Sequence, residues 1–154
     1  MKSRQWLEHF CETMRKLEGL PRKYYKRGYK ESWVDMLTRW GPHFFWTATH
    51  EQQRTCEQWV RIMQRIKRAA WGRGVVFEFF YVCEENKRGG FHLHALVRMG
   101  GDTTNGYGLL RRLGDEIGKG HNKTEHIGDV MQLRYVIKYM FKRSRGVQER
   151  YGFV

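Results

Sequence analysis

Gly90-Phe91-His92-Leu93-His94-Ala95-Leu96-Val97 is the stretch on which the reading turns. In a β-strand successive side chains alternate between faces, so His92 and His94 point one way while Phe91, Leu93, Ala95 and Val97 point into a core. Two imidazoles together on an otherwise apolar strand are a poor packing choice. Each needs a hydrogen-bond partner or a metal ion, and the rest of the chain has to say which.

The segment just before it supplies the pairing partner. Val75 to Cys83 (VVFEFFYVC) is β-branched and aromatic, and reads as a well-buried strand. Glu84 to Gly90 is polar and ends in adjacent glycines, so it predicts a hairpin loop that returns the chain into the histidine strand. Further upstream, Gly41-Pro42 punctuates, and His43 to His50 follows as another strand. Phe45, Thr47 and Thr49 lie on one of its faces, with Phe44, Trp46 and Ala48 on the other.

Two amphipathic helices frame these strands. Residues 53–71 place Trp59, Ile62, Met63, Ile66 and Ala70 on one stripe, with Arg61, Arg65, Lys67 and Arg68 largely away from it. Residues 129–143 start at Asp129, a capping residue type, and carry Leu133, Val136, Ile137, Met140 and Phe141 on one stripe. Tyr135, Lys138, Tyr139 and Lys142 form the opposite stripe, at i, i+3, i+4 and i+7. Residues 1–40 read as a basic helical extension. Trp6, Leu7, Phe10, Met14 and Leu17 recur at helix spacing, followed by the cationic, aromatic run Arg22-Lys23-Tyr24-Tyr25-Lys26-Arg27. The glycine-rich stretch 100–120, with a short helix near Leu109–Ile117, predicts a loop over or beside the site. Residues 144–154 form a basic tail with no clear element.

A chain of 154 residues with no dividing linker reads as a single domain spanning 1–154. Its net charge of +13 and pI near 10.0 imply an anionic partner, with nucleic acid ahead of membrane. No apolar run is long enough to span a bilayer and the start lacks the pattern of a secretory signal. Cys11, Cys56 and Cys83 are far apart without CxxC spacing, which removes a cysteine zinc site and argues against a disulfide framework; a reducing cytoplasm fits.

His92 and His94 with a carboxylate would make a three-ligand site that leaves positions for water and a substrate oxygen. The carboxylate candidates are Glu84 and Glu85, at the end of the partner strand, with Glu78 an outside choice on strand parity. Such a donor set suits Mn2+ or Mg2+. Tyr135 and Tyr139 are phenols, weak nucleophiles unless a cation assists, and Lys138 and Lys142 share their face. Metal, phenol and lysine on so basic a chain point to phosphoryl transfer onto tyrosine, with DNA as substrate.

These motifs resemble those of a known family. Phe91-His92-Leu93-His94-Ala95-Leu96-Val97 is similar to the paired-histidine motif of the HUH endonucleases. Tyr135 to Lys142 (YVIKYMFK) resembles the two-tyrosine form of their third motif, found in rolling-circle replication initiators of small phages and plasmids. Phe45-Trp46-Thr47-Ala48-Thr49 resembles their first motif. The order and spacing agree across residues 43–143, and Glu84 sits where several of these initiators carry a carboxylate ligand.

The resemblance implies an α+β fold: a central antiparallel sheet of about four to five strands with packed helices, ferredoxin-like, its histidines on a central strand and its tyrosine helix across the open face. It implies tyrosine attack on single-stranded or hairpin origin DNA, giving a 5′-phosphotyrosine and a 3′-hydroxyl, with Tyr139 favoured over Tyr135 as the attacking residue. Lys138 and Lys142 would assist, and Thr47 and Thr49 would contact DNA. The run Arg22, Lys23, Tyr24, Lys26 and Arg27 lies outside the span of the resemblance, and its charges and rings are of the kind that neutralise phosphates and stack on bases. A host helicase and polymerase would complete the process, with no membrane involved. The other readings are a single-strand transposase of the same superfamily, which the two Tyr-x-x-Lys pairs disfavour, and a non-catalytic basic nucleic-acid-binding domain.

Overall fold

The computed structural model describes residues 28–144 and 150–154, with side chains described from residue 33 to 140 and from 150 onward. The run Arg22 to Arg27 and the apolar stripe of residues 6–17 lie outside the described residues. In chain order the elements are α1 (Gly28–Trp40), β1 (Phe44–Thr49), α2 (Cys56–Trp71), β2 (Val75–Glu85), β3 (Phe91–Gly101), α3 (Gly106–Leu113), β4 (His121–His126), α4 (Val130–Ser144) and β5 (Tyr151–Phe153). A π turn over Gly114–Gly118 continues α3. No helix among the described residues is long and apolar enough to cross a membrane.

The strands form a 5-stranded sheet in the order β4-β1-β3-β2-β5, with every neighbouring pair antiparallel. β3, the histidine strand, is its centre. The succession β1-α2-β2-β3-α3-β4 is the split β-α-β arrangement of ferredoxin-like folds, and β5 adds an outer strand beside β2. The α+β expectation therefore holds.

Each face of the sheet has its own core. On one face Phe44, Trp46, Ala48, Phe77, Phe79, Cys83, Leu93, Ala95 and Val97 pack against α2 and α3. On the other, Phe80, Val82 and Leu96 pack against Trp33, Val34, Met36, Leu37 and Trp40 of α1 and Leu133, Val136, Ile137 and Met140 of α4. Period-two alternation in the strands dictates this division, because Leu93 and Leu96 stand on opposite faces. Burying each of these large side chains stabilises the fold by roughly 1.5–3 kcal/mol relative to exposure.

The helix registers follow from sequence. α2 buries Trp59, Ile62, Met63, Ile66 and Ala70. A capping box starts it, with the Gln58 amide donating to Thr55 Oγ1 and the Thr55 amide donating to Gln58 Oε1. α4 starts at Asp129, whose carboxylate accepts from the Gln132 backbone amide at 2.8 Å.

Three expectations need correction. The 100–120 stretch does not lie over the histidines: Leu109, Leu110 and Leu113 of α3 are buried in the core of the opposite face. The tail does contain an element, since β5 pairs Phe153 with Phe80 and Tyr151 with Val82. Residues 33–40 are no appendage either, because α1 supplies part of the core beneath α4. Cys56 and Cys83 are free thiols.

Candidate metal centre and the helix beside it

The hairpin of β2 and β3 sets the ligand geometry. Its register pairs Glu84 with His92 and Val82 with His94. Residues directly opposite one another share a face, so Glu84, His92 and His94 emerge together from the α1–α4 side of the sheet. Glu84 Oε2 lies 2.8 Å from His92 Nε2 and 2.9 Å from His94 Nε2. These three side chains each offer a ligand atom, and the atoms all lie within 4.8 Å of one another.

The other carboxylates are engaged elsewhere. Glu85 pairs with Arg150 at 3.3 Å, and Glu78 lies opposite Arg98, which it meets at 3.6 Å. Burial alone would raise the Glu84 carboxyl, but hydrogen bonds and charge from His94 and His92 outweigh it and hold the group below the usual carboxylate range. Two imidazole nitrogens converging on one carboxylate oxygen, with His92 and Glu84 partly open to solvent, are a donor set that can hold a divalent cation.

The surroundings orient each imidazole. His92 Nδ1 lies 2.6 Å from Asn86 Oδ1, an oxygen that can only accept. That contact holds Nδ1 as a donor and aims Nε2 at Glu84 and the ligand cluster. The Phe45 ring stacks on His94, with centroids 5.9 Å apart and planes 5° from parallel. Strand parity puts Phe45 on the correct face but gives it no role, and nothing in the spacing singles out Asn86. The available signal is its position as the first residue of the turn after Glu84-Glu85.

The turn is held from behind. Gly89 and Gly90 adopt φ of +94° and +69°, and a Cβ at Gly90 would stand 2.8 Å from Gln53 Cα. Gln53 Nε2 donates to Arg88 O, the Phe91 amide donates to Arg54 O, and Trp59 Nε1 donates to Phe91 O. The segment leading into α2 thus clamps the hairpin that carries Asn86, Glu84 and His92.

α4 crosses the same face. Tyr139 is half-buried, its ring edge-on to His94 with centroids 5.6 Å apart and planes at 88°. Tyr135, one turn earlier, is 73% exposed, and Lys138 is exposed on the same helix. The Lys142 side chain lies outside the described ones. Thr47 pairs with His94 across β1–β3 and with Lys123 across β1–β4, so a row runs from His94 through Thr47 to exposed Lys123. Thr49 lies further along β1, opposite His121. Lys123 escapes a reading by pattern because its strand is polar throughout. Three other histidines make structural contacts: His43 Nδ1 accepts from the Met99 amide, His50 Nδ1 from the Gln52 amide, and His126 stacks on Tyr107.

The chain belongs to the replication-associated protein ORF2 family, whose model matches residues 43–144. That span opens one residue before β1 and closes with α4, so it contains every residue of the cluster and of the helix beside it. Membership supports a replication-initiator role. Searches of curated proteins and of solved structures gave no match.

Proposed function

We propose that this chain initiates rolling-circle replication by nicking and rejoining single-stranded DNA through a tyrosine, as a metal-dependent HUH endonuclease. The observation that carries the reading is Tyr139 lying against His94 within a cluster of Glu84, His92 and His94. Those three side chains would hold Mn2+ or Mg2+, which when bound supplies charge stabilisation at the scissile phosphate.

The chain's own residues account for the remainder. Asn86 and Phe45 fix the imidazoles, so the donor set is organised before DNA arrives. Tyr139 Oη gives up its phenol proton to solvent water, attacks the phosphorus and forms a P–O bond. The P–O3′ bond breaks and its electron pair leaves with the 3′ oxygen, which takes up a proton to become a 3′-hydroxyl. The 5′-phosphate stays on the tyrosine. Lys138 and Lys142 lie on the same stripe of α4 and supply positive charge to the DNA backbone. Tyr135 takes part in the second transfer that rejoins the strand. Thr47, Thr49 and Lys123 line the open face along which the DNA runs. Hairpin or single-stranded origin DNA is the substrate, and the 3′-hydroxyl primes a host polymerase behind a host helicase.

The test is incubation with a labelled single-stranded oligonucleotide library and Mn2+, followed by denaturing electrophoresis and sequencing of the adducts. A covalent adduct is expected with the wild-type chain, strongly reduced in Y139F and absent in Y135F/Y139F and in the presence of chelator. An adduct that survives in the double variant would overturn the assignment.

A further inference from the structure

The sheet face opposite the histidines is covered by α2, and the outer side of that helix is unlike an ordinary solvated surface. Its inner stripe is fully used by the core. On the outer side stand Arg61, Arg65 and Arg68, at i, i+4 and i+7, all exposed, with exposed Gln64 among them. Trp71 closes the row at 70% exposure. The other tryptophans with described side chains, Trp33, Trp40, Trp46 and Trp59, are at 5% or below. Glu57 is the one acid on the helix and sits in its first turn, where it suits the helix dipole rather than the arginines. Among the described residues, none of these arginines has an ion-pair partner.

The spacing matters. At 1.5 Å rise per residue, Arg61 and Arg65 are about 6 Å apart along the axis, and the row from Arg61 to Trp71 is about 15 Å long. Guanidinium groups without an acidic partner attract a phosphate backbone, and an exposed indole beside them offers a face on which a base can stack. A duplex would use the arginines and leave the indole idle, because its bases are already stacked. The combination therefore fits a single strand.

We infer that the outer face of α2 is a second single-stranded DNA site, built from Arg61, Arg65, Arg68 and Trp71 and separated from the histidine cluster by the sheet. A strand that occupies both sites passes round a sheet edge. The α2 site would hold DNA that flanks the cleavage point rather than the cleaved phosphate itself. The choice of DNA over RNA rests on the replication reading above, and the arms below separate the failure of one from the failure of the other.

The experiment uses the intact chain with chelator, so that nothing is cleaved, and titrates it with a dT20 oligonucleotide while following tryptophan emission at several salt concentrations. In W71A affinity is expected to fall roughly 5- to 150-fold, the range for loss of one stacking platform, and part of the quenching is expected to vanish. In R61A/R65A/R68A the slope of log K against log salt should shrink by about 2, the value for three lost contacts to a single strand. Adduct formation on a short oligonucleotide that covers only the cleavage site should be unchanged in both variants, since none of these residues lies near Tyr139.

Unchanged dT20 affinity in either variant overturns the site. So does equal competition by a duplex, which would mean a backbone-only surface, and so does tighter binding of rU20 than dT20. Loss of adduct formation in wild type, with α2-dependent binding intact, would count against the nuclease reading and leave the second site standing.

Discussion

Removing one oxygen behind His92 isolates the role of the residue that orients it. Asn86 Oδ1 accepts from His92 Nδ1–H at 2.6 Å, and Asn86→Ala deletes that acceptor without touching the turn's backbone bonds. Those bonds run from the Asn86 amide to Gly90 O and from the Gly89 amide to Asn86 O, and both survive the substitution. His92 then loses the contact that holds Nδ1 as a donor and sets its ring angle. Loss of such a partner typically weakens metal binding about 10- to 100-fold, or about 1.4–2.7 kcal/mol. Asn86 is only half-buried, so water can replace part of the lost contact, and the low end, about tenfold, is expected here. Calorimetric titration of the intact chain with Mn2+ in the absence of DNA measures it, and imidazole 15N shifts report the tautomer. Asn86→Asp keeps an acceptor and should bind at least as tightly as wild type. Wild-type affinity in Asn86→Ala, or an equal loss in Asn86→Asp, would refute the orienting role.

Two further outcomes follow from the same structure. Gly90→Ala places a Cβ against the backbone of Gln53 and Arg54 at a φ of +69°, so it should cost more than about 1 kcal/mol in denaturant unfolding and weaken Mn2+ binding through His92. Burial pushes the Tyr81 phenol up to about 12, with Cys83 and Cys56 adding to the shift. The unfolded chain ionises nearer 10, so the group contributes nothing below that pH, and above it the unfolded state holds fewer protons than the folded one. Stability should therefore fall between pH 10 and 12 by about 1 kcal/mol after allowing for solvent screening, and Tyr81→Phe should lose that dependence in pH-resolved denaturation midpoints.

The parts legible in the sequence were those whose side chains state their own environment. α2 and α4 reveal their buried stripes because an amphipathic helix must place apolar residues every three or four positions to reach a core. β3 was legible for the same reason at period two, and the hairpin register then put Glu84 opposite His92. The edge strands were not legible. β4 reads His-Asn-Lys-Thr-Glu-His, with no fully buried side chain, and it is a strand because the backbone of β1 offers it a ladder. β5 is three residues long and depends likewise on β2. Neither the acceptor behind His92 nor the ring over His94 follows from spacing, since each depends on where a turn or a neighbouring strand carries it. Strand parity sets Glu85 on the other face from Glu84, and the ion pairs of Glu85 with Arg150 and of Glu78 with Arg98 complete the separation.

The clamp between the Gln53–Arg54 segment and the 86–90 turn has a practical consequence for anyone building reagents from this chain. Short polar turns at hairpin tips are where tags, dyes and circular-permutation breaks are usually placed, because little is lost there. Here the tip is pinned at Arg88 O and Phe91 N, and a Cβ at Gly90 would meet the backbone of Gln53 and Arg54. A label inserted between Asn86 and Gly90 would pull on His92 and Glu84 together, and a probe meant to watch the site would dismantle it.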